Sequence, residues 1–217
     1  MPELGNILQQ YPNITALRFF GENINGADII NILKRNAITN LSFEGSKFDT
    51  SDEIFFSEAL MNSKTLTHLT VSNATFMSPT LIINIINRMR GNKSITYLNI
   101  SNNNISLTRP WKLIRCIIEE NSTLTDLDIS GNKLNLYERE NFPNALKKNK
   151  TLLSLKLKNC SIDVPTFSNF AEGVKVNNTL KYIDFSDNNL GDAGKEIAQE
   201  IQRVRAEKGY PHLEIVL

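Results

Sequence analysis

Leu124-Thr-Asp-Leu-Asp-Ile-Ser-Gly-Asn132-Lys-Leu134 reads L-x-x-L-x-L-x-x-N-x-L, and three other segments of the chain align with it without a gap. These are Ile95-Thr-Tyr-Leu-Asn-Ile-Ser-Asn-Asn103-Asn-Ile105, Leu152-Leu-Ser-Leu-Lys-Leu-Lys-Asn-Cys160-Ser-Ile162 and Leu180-Lys-Tyr-Ile-Asp-Phe-Ser-Asp-Asn188-Asn-Leu190. Looser copies lie upstream at 14–24, 38–48 and 66–76. The ninth-position residues are then Glu22, Ser46, Ala74, Asn103, Asn132, Cys160 and Asn188, in steps of 24, 28, 29, 29, 28 and 28. A period this regular means one small unit that cannot bury its apolar face alone and must stack on its neighbours.

Each position has a physical reason. The second and third apolar residues alternate with polar ones, as a strand requires when one face is buried and the other is not. Leu127 and Ile129 therefore point inward, while Asp126, Asp128 and Ser130 point out. At the ninth position the chain turns, and a buried Asn or Cys can bond backbone groups that would otherwise be unpaired. Because Glu22, Ser46 and Ala74 depart from Asn or Cys, that ladder should be missing from the first repeats, which read as a degenerate cap region. His212-Leu213-Glu-Ile215-Val-Leu217 repeats the alternation and is expected to supply an eighth strand, leaving an edge to be covered by further sequence or by a partner.

Segments of helical period separate the strands: 27–34, 52–61, 79–89, 110–119, 138–147, 166–174 and 193–206. Thr50-Ser51-Asp52, Ser78-Pro79 and Thr108-Arg-Pro110 supply helix-start chemistry. One strand and one helix per repeat, with the strands parallel on the inside of a curve, is the architecture that follows.

Composition narrows the class without naming a partner. The 217 residues fit one domain, 1–217, and a 41% hydrophobic, 22% charged balance is that of a folding chain. Lys plus Arg number 24 against 23 Asp plus Glu, so no global charge draws the protein to nucleic acid or an anionic membrane. The first residues lack the basic and apolar regions of a Sec signal, and no run reaches the ~18 apolar residues of a membrane span. Cys116 and Cys160 are too few for a disulfide scaffold or zinc site and read as two buried, inert thiols of a reducing compartment. His68 and His212 stand alone, so no metal and no cofactor is expected. The Asn-x-Ser/Thr matches at Asn92, Asn121, Asn149 and Asn177 recur with the repeat and are expected to stay unmodified.

The repeats are similar to the leucine-rich repeats of the ribonuclease-inhibitor-like class, with units of about 28 residues and a full helix on the convex side. The resemblance covers nearly the whole chain. It implies an α/β solenoid, a horseshoe with a concave parallel sheet of seven or eight strands and convex helices. The repeats would run near 14–36, 38–64, 66–93, 95–122, 124–150, 152–178 and 180–210, with a terminal strand at 212–217. In this register the third, fifth and seventh positions form the concave face.

That face offers Arg18, Phe20, Glu44, His68, Tyr97, Asn99, Asp126, Asp128, Lys156, Lys158, Tyr182 and Asp184 as partner-binding candidates. Tyr97, Tyr182 and Phe20 are candidate anchors, because large rings bury much area for little lost rotamer entropy. Each ring could equally lie over its neighbours on the sheet. The Asp126/Asp128, Lys156/Lys158 and Asp184 stripes could set a partner's register, or could be cross-strand pairs of modest strength.

The resemblance implies a non-catalytic module that grips a folded protein and blocks or positions it, monomeric alone, with no enzyme activity. Such modules occur among effectors that intracellular bacteria secrete into host cells, and the Asn-, Ile- and Lys-rich composition is compatible with an AT-rich bacterial genome. Such an effector would act in the cytoplasm or reach a host cytosol by a non-Sec route, against a host protein or another effector. The alternatives are a GTPase-activating or other catalysis-assisting repeat protein and a cytoskeletal capping module. Repeat-bearing ubiquitin ligases need a separate cysteine-bearing domain, for which no residues remain.

Overall fold

The computed structural model describes residues 2–34, 37–48, 53–76, 80–105, 110–133 and 142–217. They fall into two compact units, Met1–Asn103 and Asn104–Leu217. The helix-start signals at 50–52, 78–79 and 108–109, the predicted helix residues 138–141 and Leu134 lie outside the described residues.

The first unit runs α1 (Pro2–Gln10), β1 (Ala16–Phe20), β2 (Asn23–Ile24), α2 (Gly26–Leu33), β3 (Asn40–Glu44), β4 (Lys47–Phe48), α3 (Glu53–Asn62), β5 (His68–Ser72), β6 (Thr75–Phe76), α4 (Thr80–Met89) and β7 (Tyr97–Asn99). Strands β1, β3, β5 and β7 pair in that order, all parallel. The second unit runs α5 (Pro110–Glu120), β8 (Asp126–Asp128), α6 (Phe142–Lys148), β9 (Ser154–Lys156), α7 (Val164–Val174), β10 (Tyr182–Asp184), α8 (Gly191–Glu207) and β11 (Glu214–Val216). Here β8, β9, β10 and β11 are parallel in sequence order. The α/β repeat architecture is thus the expected one, with eight parallel strands of the repeat type. Helix α1 and the short strands β2, β4 and β6 were not expected.

The strand alternation holds residue by residue. Leu41, Phe43, Leu69, Val71 and Leu98 are buried in the first unit, and Leu127, Leu155, Leu157, Ile183 and Phe185 in the second. Helix residues such as Ile29, Leu60, Ile85, Leu146 and Phe167 close the core from the other side. After each strand the residue before the ninth position takes a left-handed backbone: Gly21, Gly45, Asn73, Asn102, Gly131, Asn159 and Asp187, with φ between 48° and 70°. Only Gly, Asn and Asp fill the slot, the residue types that tolerate this conformation best.

Beyond that turn the early and the later repeats solve one problem differently. At Asn103, Asn132 and Asn188 the ninth-position carboxamide serves the backbone: Asn188 Nδ2 donates to the carbonyls of Leu157 and Phe185, and its Oδ1 accepts from the amides of Cys160 and Ile162. Cys160 takes the same place, its Sγ donating to the Ile129 carbonyl at 3.4 Å. In the first repeats Glu22 is exposed, Ala74 has no polar group, and Ser46 Oγ donates to the Phe19 carbonyl at 3.5 Å. There β2, β4 and β6 form a second parallel sheet, and backbone does what the carboxamide does elsewhere.

A second buried ladder precedes the strands. Asn149 Oδ1 accepts from the amides of Thr151 and Leu152 while its Nδ2 donates to the Ile118 carbonyl. Asn92 and Asn177 repeat both halves of the pattern, Asn121 accepts from Thr123 and Leu124, and Ser63 accepts from Leu66. Each strand then begins five residues on, at positions 68, 97, 126, 154 and 182. In the last repeat the slot holds Arg205, whose Nη1 donates to the carbonyls of Val174 and Asn177, and whose Nη2 donates to those of Leu180 and Pro211.

Arginine has no acceptor. It can bond the preceding repeat but cannot receive the two amides that open the next strand. Helix α8 runs on to Glu207 and β11 begins nine residues after the slot, not five. The repeat pattern would set His212 in the third position, beside Tyr182, and Glu214 in the fifth; instead Glu214 stands beside Tyr182 and Val216 beside Asp184.

Candidate functional site

In the first unit the pairing register lines up the open sheet face in rows: Ala16, Asn40, His68 and Tyr97; then Arg18, Ser42, Thr70 and Asn99; then Phe20, Glu44 and Ser72. Small side chains in the middle row leave a shallow groove of about 290 Å³, with Arg18 toward one end and the His68–Tyr97 pair at the other. The two rings stack at 5.6 Å between centroids and 21° between planes, and His68 Nδ1 lies 2.8 Å from Thr67 Oγ1. Across the sheet Arg18 Nη2 donates to Glu44 at 2.7 Å and Ser42 Oγ donates to the same carboxylate at 2.8 Å. The Ser42 bond, followed by the Arg18 bond and charge, holds the Glu44 carboxyl below its ordinary range despite opposing desolvation. Phe20, at the strand's end, is 74% exposed.

In the second unit the rows are Asp126, Ser154, Tyr182 and Glu214, then Asp128, Lys156, Asp184 and Val216. Burial first, then the carboxylates of Asp184 and Glu214, pushes the Tyr182 phenol above its ordinary value. Glu214 belongs to this acidic surround, and the sequence reading missed it because it set the last strand two residues out of register. Lys156 stands in register between two aspartates, whereas Lys158 pairs with Asp187 at 3.2 Å.

Three of the expected contact residues are occupied with local work. Asn99, Asp128 and Asp184 each accept, through Oδ1, the amide two residues on, at Ser101, Ser130 and Ser186. Such side-chain turns stabilise the corner between the strand and its left-handed residue. Asp184 is engaged twice, since its Oδ2 also accepts from the Tyr182 hydroxyl at 3.5 Å. Arg18, Glu44, His68 and Tyr97 share the first unit's face, and Asp126, Lys156 and Tyr182 that of the second.

The thiols sit apart from both faces. Cys116 is buried on α5, and Cys160 is enclosed in the ladder, where burial pushes its pKa up to about 12. Among the described residues no cluster of three or more His, Cys, Asp or Glu is placed to hold a metal, and no helix is long and apolar enough to cross a membrane.

The family described as Leucine Rich Repeat matches residues 94–116, and a related family of the same description matches 120–135 and 176–195. These three segments carry leucine-rich repeats. The matched segments include the strands β7, β8 and β10, whose asparagine turns are the most regular. No curated protein sequence matches the chain. Among solved structures, the C-terminal domain of a Caenorhabditis elegans tropomodulin is similar with a TM-score of 0.56 and 16% identity, over 74% of this chain and 96% of that one. Actin-binding site 2 of leiomodin-1 aligns with a TM-score of 0.43 and 16% identity, over 84% of this chain and 90% of the other. At this identity the tropomodulin likeness speaks of fold.

Proposed function

We propose that this leucine-rich-repeat chain is a non-catalytic interaction module that grips a folded protein with its open sheet face. One observation carries the reading. The inner strands of the first unit bury Leu41, Phe43, Leu69, Val71 and Leu98 and spend the alternate residues on a groove bounded by Arg18 at one end and the stacked His68 and Tyr97 at the other. Aromatic and arginine side chains on a rigid, preformed face are the residue types that dominate protein interfaces. The second unit's Tyr182, framed by carboxylates, adds a separate contact of opposite electrostatic character.

A binding role suits the thiols as well. Cys160 holds the turn ladder and Cys116 packs in a helix, so neither is presented on a face. The finer reading, an effector of ribonuclease-inhibitor-like type that modulates an enzyme in the cytosol of a host, rests on the repeat length of about 28 residues and on the Asn-, Ile- and Lys-rich composition. The cytoskeletal alternative has likeness of architecture behind it and no shared residue argument.

Affinity capture with the wild-type chain and with a Tyr97→Ala/Tyr182→Ala/Lys156→Glu variant tests the assignment. The variant should lose the partner while keeping its circular dichroism and melting temperature. An unchanged partner on a folded variant would show that the open face is not the binding surface. If the partner is an enzyme, its turnover should fall on titration with the wild-type chain.

A further inference from the structure

The outer edge of β1, which borders the groove at Arg18, carries backbone groups that its own sheet does not use. Thr15 C=O accepts from the amides of Thr39 and Asn40, and Gly21 N–H donates to the Glu44 carbonyl. The odd-numbered residues of this strand thus aim at β3. Because successive backbone groups alternate in direction, the N–H and C=O of Ala16, Arg18 and Phe20 aim the other way. Among the described residues nothing pairs with them, and β1 stands first in the strand order of its unit. Helix α1 packs against α2, on the helix side of the unit.

Burial along the strand agrees. Leu17 holds a core position whose counterparts Leu41, Leu69 and Leu98 are 2%, 0% and 0% exposed, yet Leu17 is only partly covered. The apolar stack is open on this flank. Natural edge strands are usually blunted by proline, a bulge or a charge leaning outward. Residues 16–20 contain no proline, and their one charge, Arg18, is drawn back over the sheet by Glu44.

We propose that the edge of β1 accepts an extended strand from a partner protein, apolar on its core-facing side and carrying a carboxylate opposite Arg18. Three donors and three acceptors of the β1 backbone supply the ladder. The core-facing side chains of the incoming strand cover Leu17 and Phe19. Arg18 is 65% exposed and gives Glu44 a single Nη2 contact, so the rest of its fork is open to a second carboxylate. A second copy of this chain is a poorer occupant. The antiparallel register that uses all five residues sets Arg18 directly against its own copy, and like charges facing across strands repel.

The probe is a blocked peptide of alternating threonine and valine with lysine ends and a central glutamate on the threonine face, added to the full chain labelled with 15N. The amides of Ala16, Arg18 and Phe20 should shift and gain protection from deuterium exchange, while amides on the far strands stay as they were. The Ala16→Pro variant removes only an outward N–H, a change an edge strand tolerates; it should melt like wild type and lose the peptide. Replacing the central glutamate by lysine should weaken binding roughly tenfold or more, the scale of one charge-assisted contact. The proposal fails if millimolar peptide leaves the three amides unprotected, if Ala16→Pro binds as well as wild type, or if the lysine peptide binds equally. Sedimentation showing a dimer that Ala16→Pro dissociates would overturn it in favour of self-pairing.

Discussion

Arg205 is 1% exposed, and among the described residues its guanidinium bonds only carbonyl oxygens while Nε finds no acceptor. Burial lowers its pKa, and the Tyr210 ring lies 5.8 Å from the guanidinium carbon. Replacing it with methionine keeps the volume but strips four carbonyls of their donor. We expect Arg205→Met to cost roughly 2–3 kcal/mol, because stranded acceptors outweigh the relief of burying no charge; the urea midpoint should fall at constant m. Cys160 makes a prediction of opposite character. Its folded pKa is raised, so between the unfolded thiol's ~8.5 and the folded value of about 12 the unfolded chain has lost a proton that the folded chain keeps. Stability contributed by this group is complete below pH ~8.5 and declines as pH rises through that window. Cys160→Asn, the residue of the other rungs, should flatten the alkaline slope relative to wild type in denaturant titrations at pH 7 to 10.

Helices α6 and α7 approach each other through Gly173. A Cβ there would stand 2.7 Å from Pro143 Cα and 2.8 Å from the Pro143 carbonyl oxygen, both backbone. Helix propensity alone makes Gly→Ala favourable by ~1 kcal/mol, but here the clash decides the sign. Gly173→Ala should destabilise by roughly 1–3 kcal/mol, as overpacking does, visible as a lower melting temperature. The elements themselves were largely written in the period: the inward residues of every strand, the helices between them and the asparagine turns. Three features were not. Two-residue strands such as β2, β4 and β6 carry no alternation to read. The pre-strand ladder was visible as Asn92, Asn121, Asn149 and Asn177 in steps of 29, 28 and 28, but an Asn-x-Ser/Thr match also looks like a glycosylation site, and burial alone separates the two. The last strand was misplaced because alternation has a period of two, so a shift by two residues leaves every side chain on its correct face. That shift is why Glu214 was not recognised as the neighbour of Tyr182. Asn99, Asp128 and Asp184 show a different gap: a polar residue facing outward on a strand looks the same in sequence whether it waits for a partner or ties down its own turn.

A stack of repeats draws its stability from neighbour contacts, so strands with one neighbour should open before strands with two. In the first unit β3 and β5 lie inside and β1 at the margin; in the second β9 and β10 lie inside and β11 at the margin. The amides of Gly21 and Glu214, which bond across the marginal pairs, should therefore exchange with deuterium at least ~10-fold faster than those of His68 and Tyr182, which bond between inner strands. Equal rates would mean that each unit opens all at once.

Among the described residues of the pre-strand slot, Arg205 alone offers donors and no oxygen, so the regular phase of the second unit stops at the chemistry of one side chain. Tandem duplication of 149–176, which opens on an asparagine and stops just before the next, should splice in one more strand and helix without disturbing the phase on either side. An insert placed after residue 205 would find no acceptor for its first amides unless the arginine were first exchanged for asparagine and the four surplus residues before Glu214 removed.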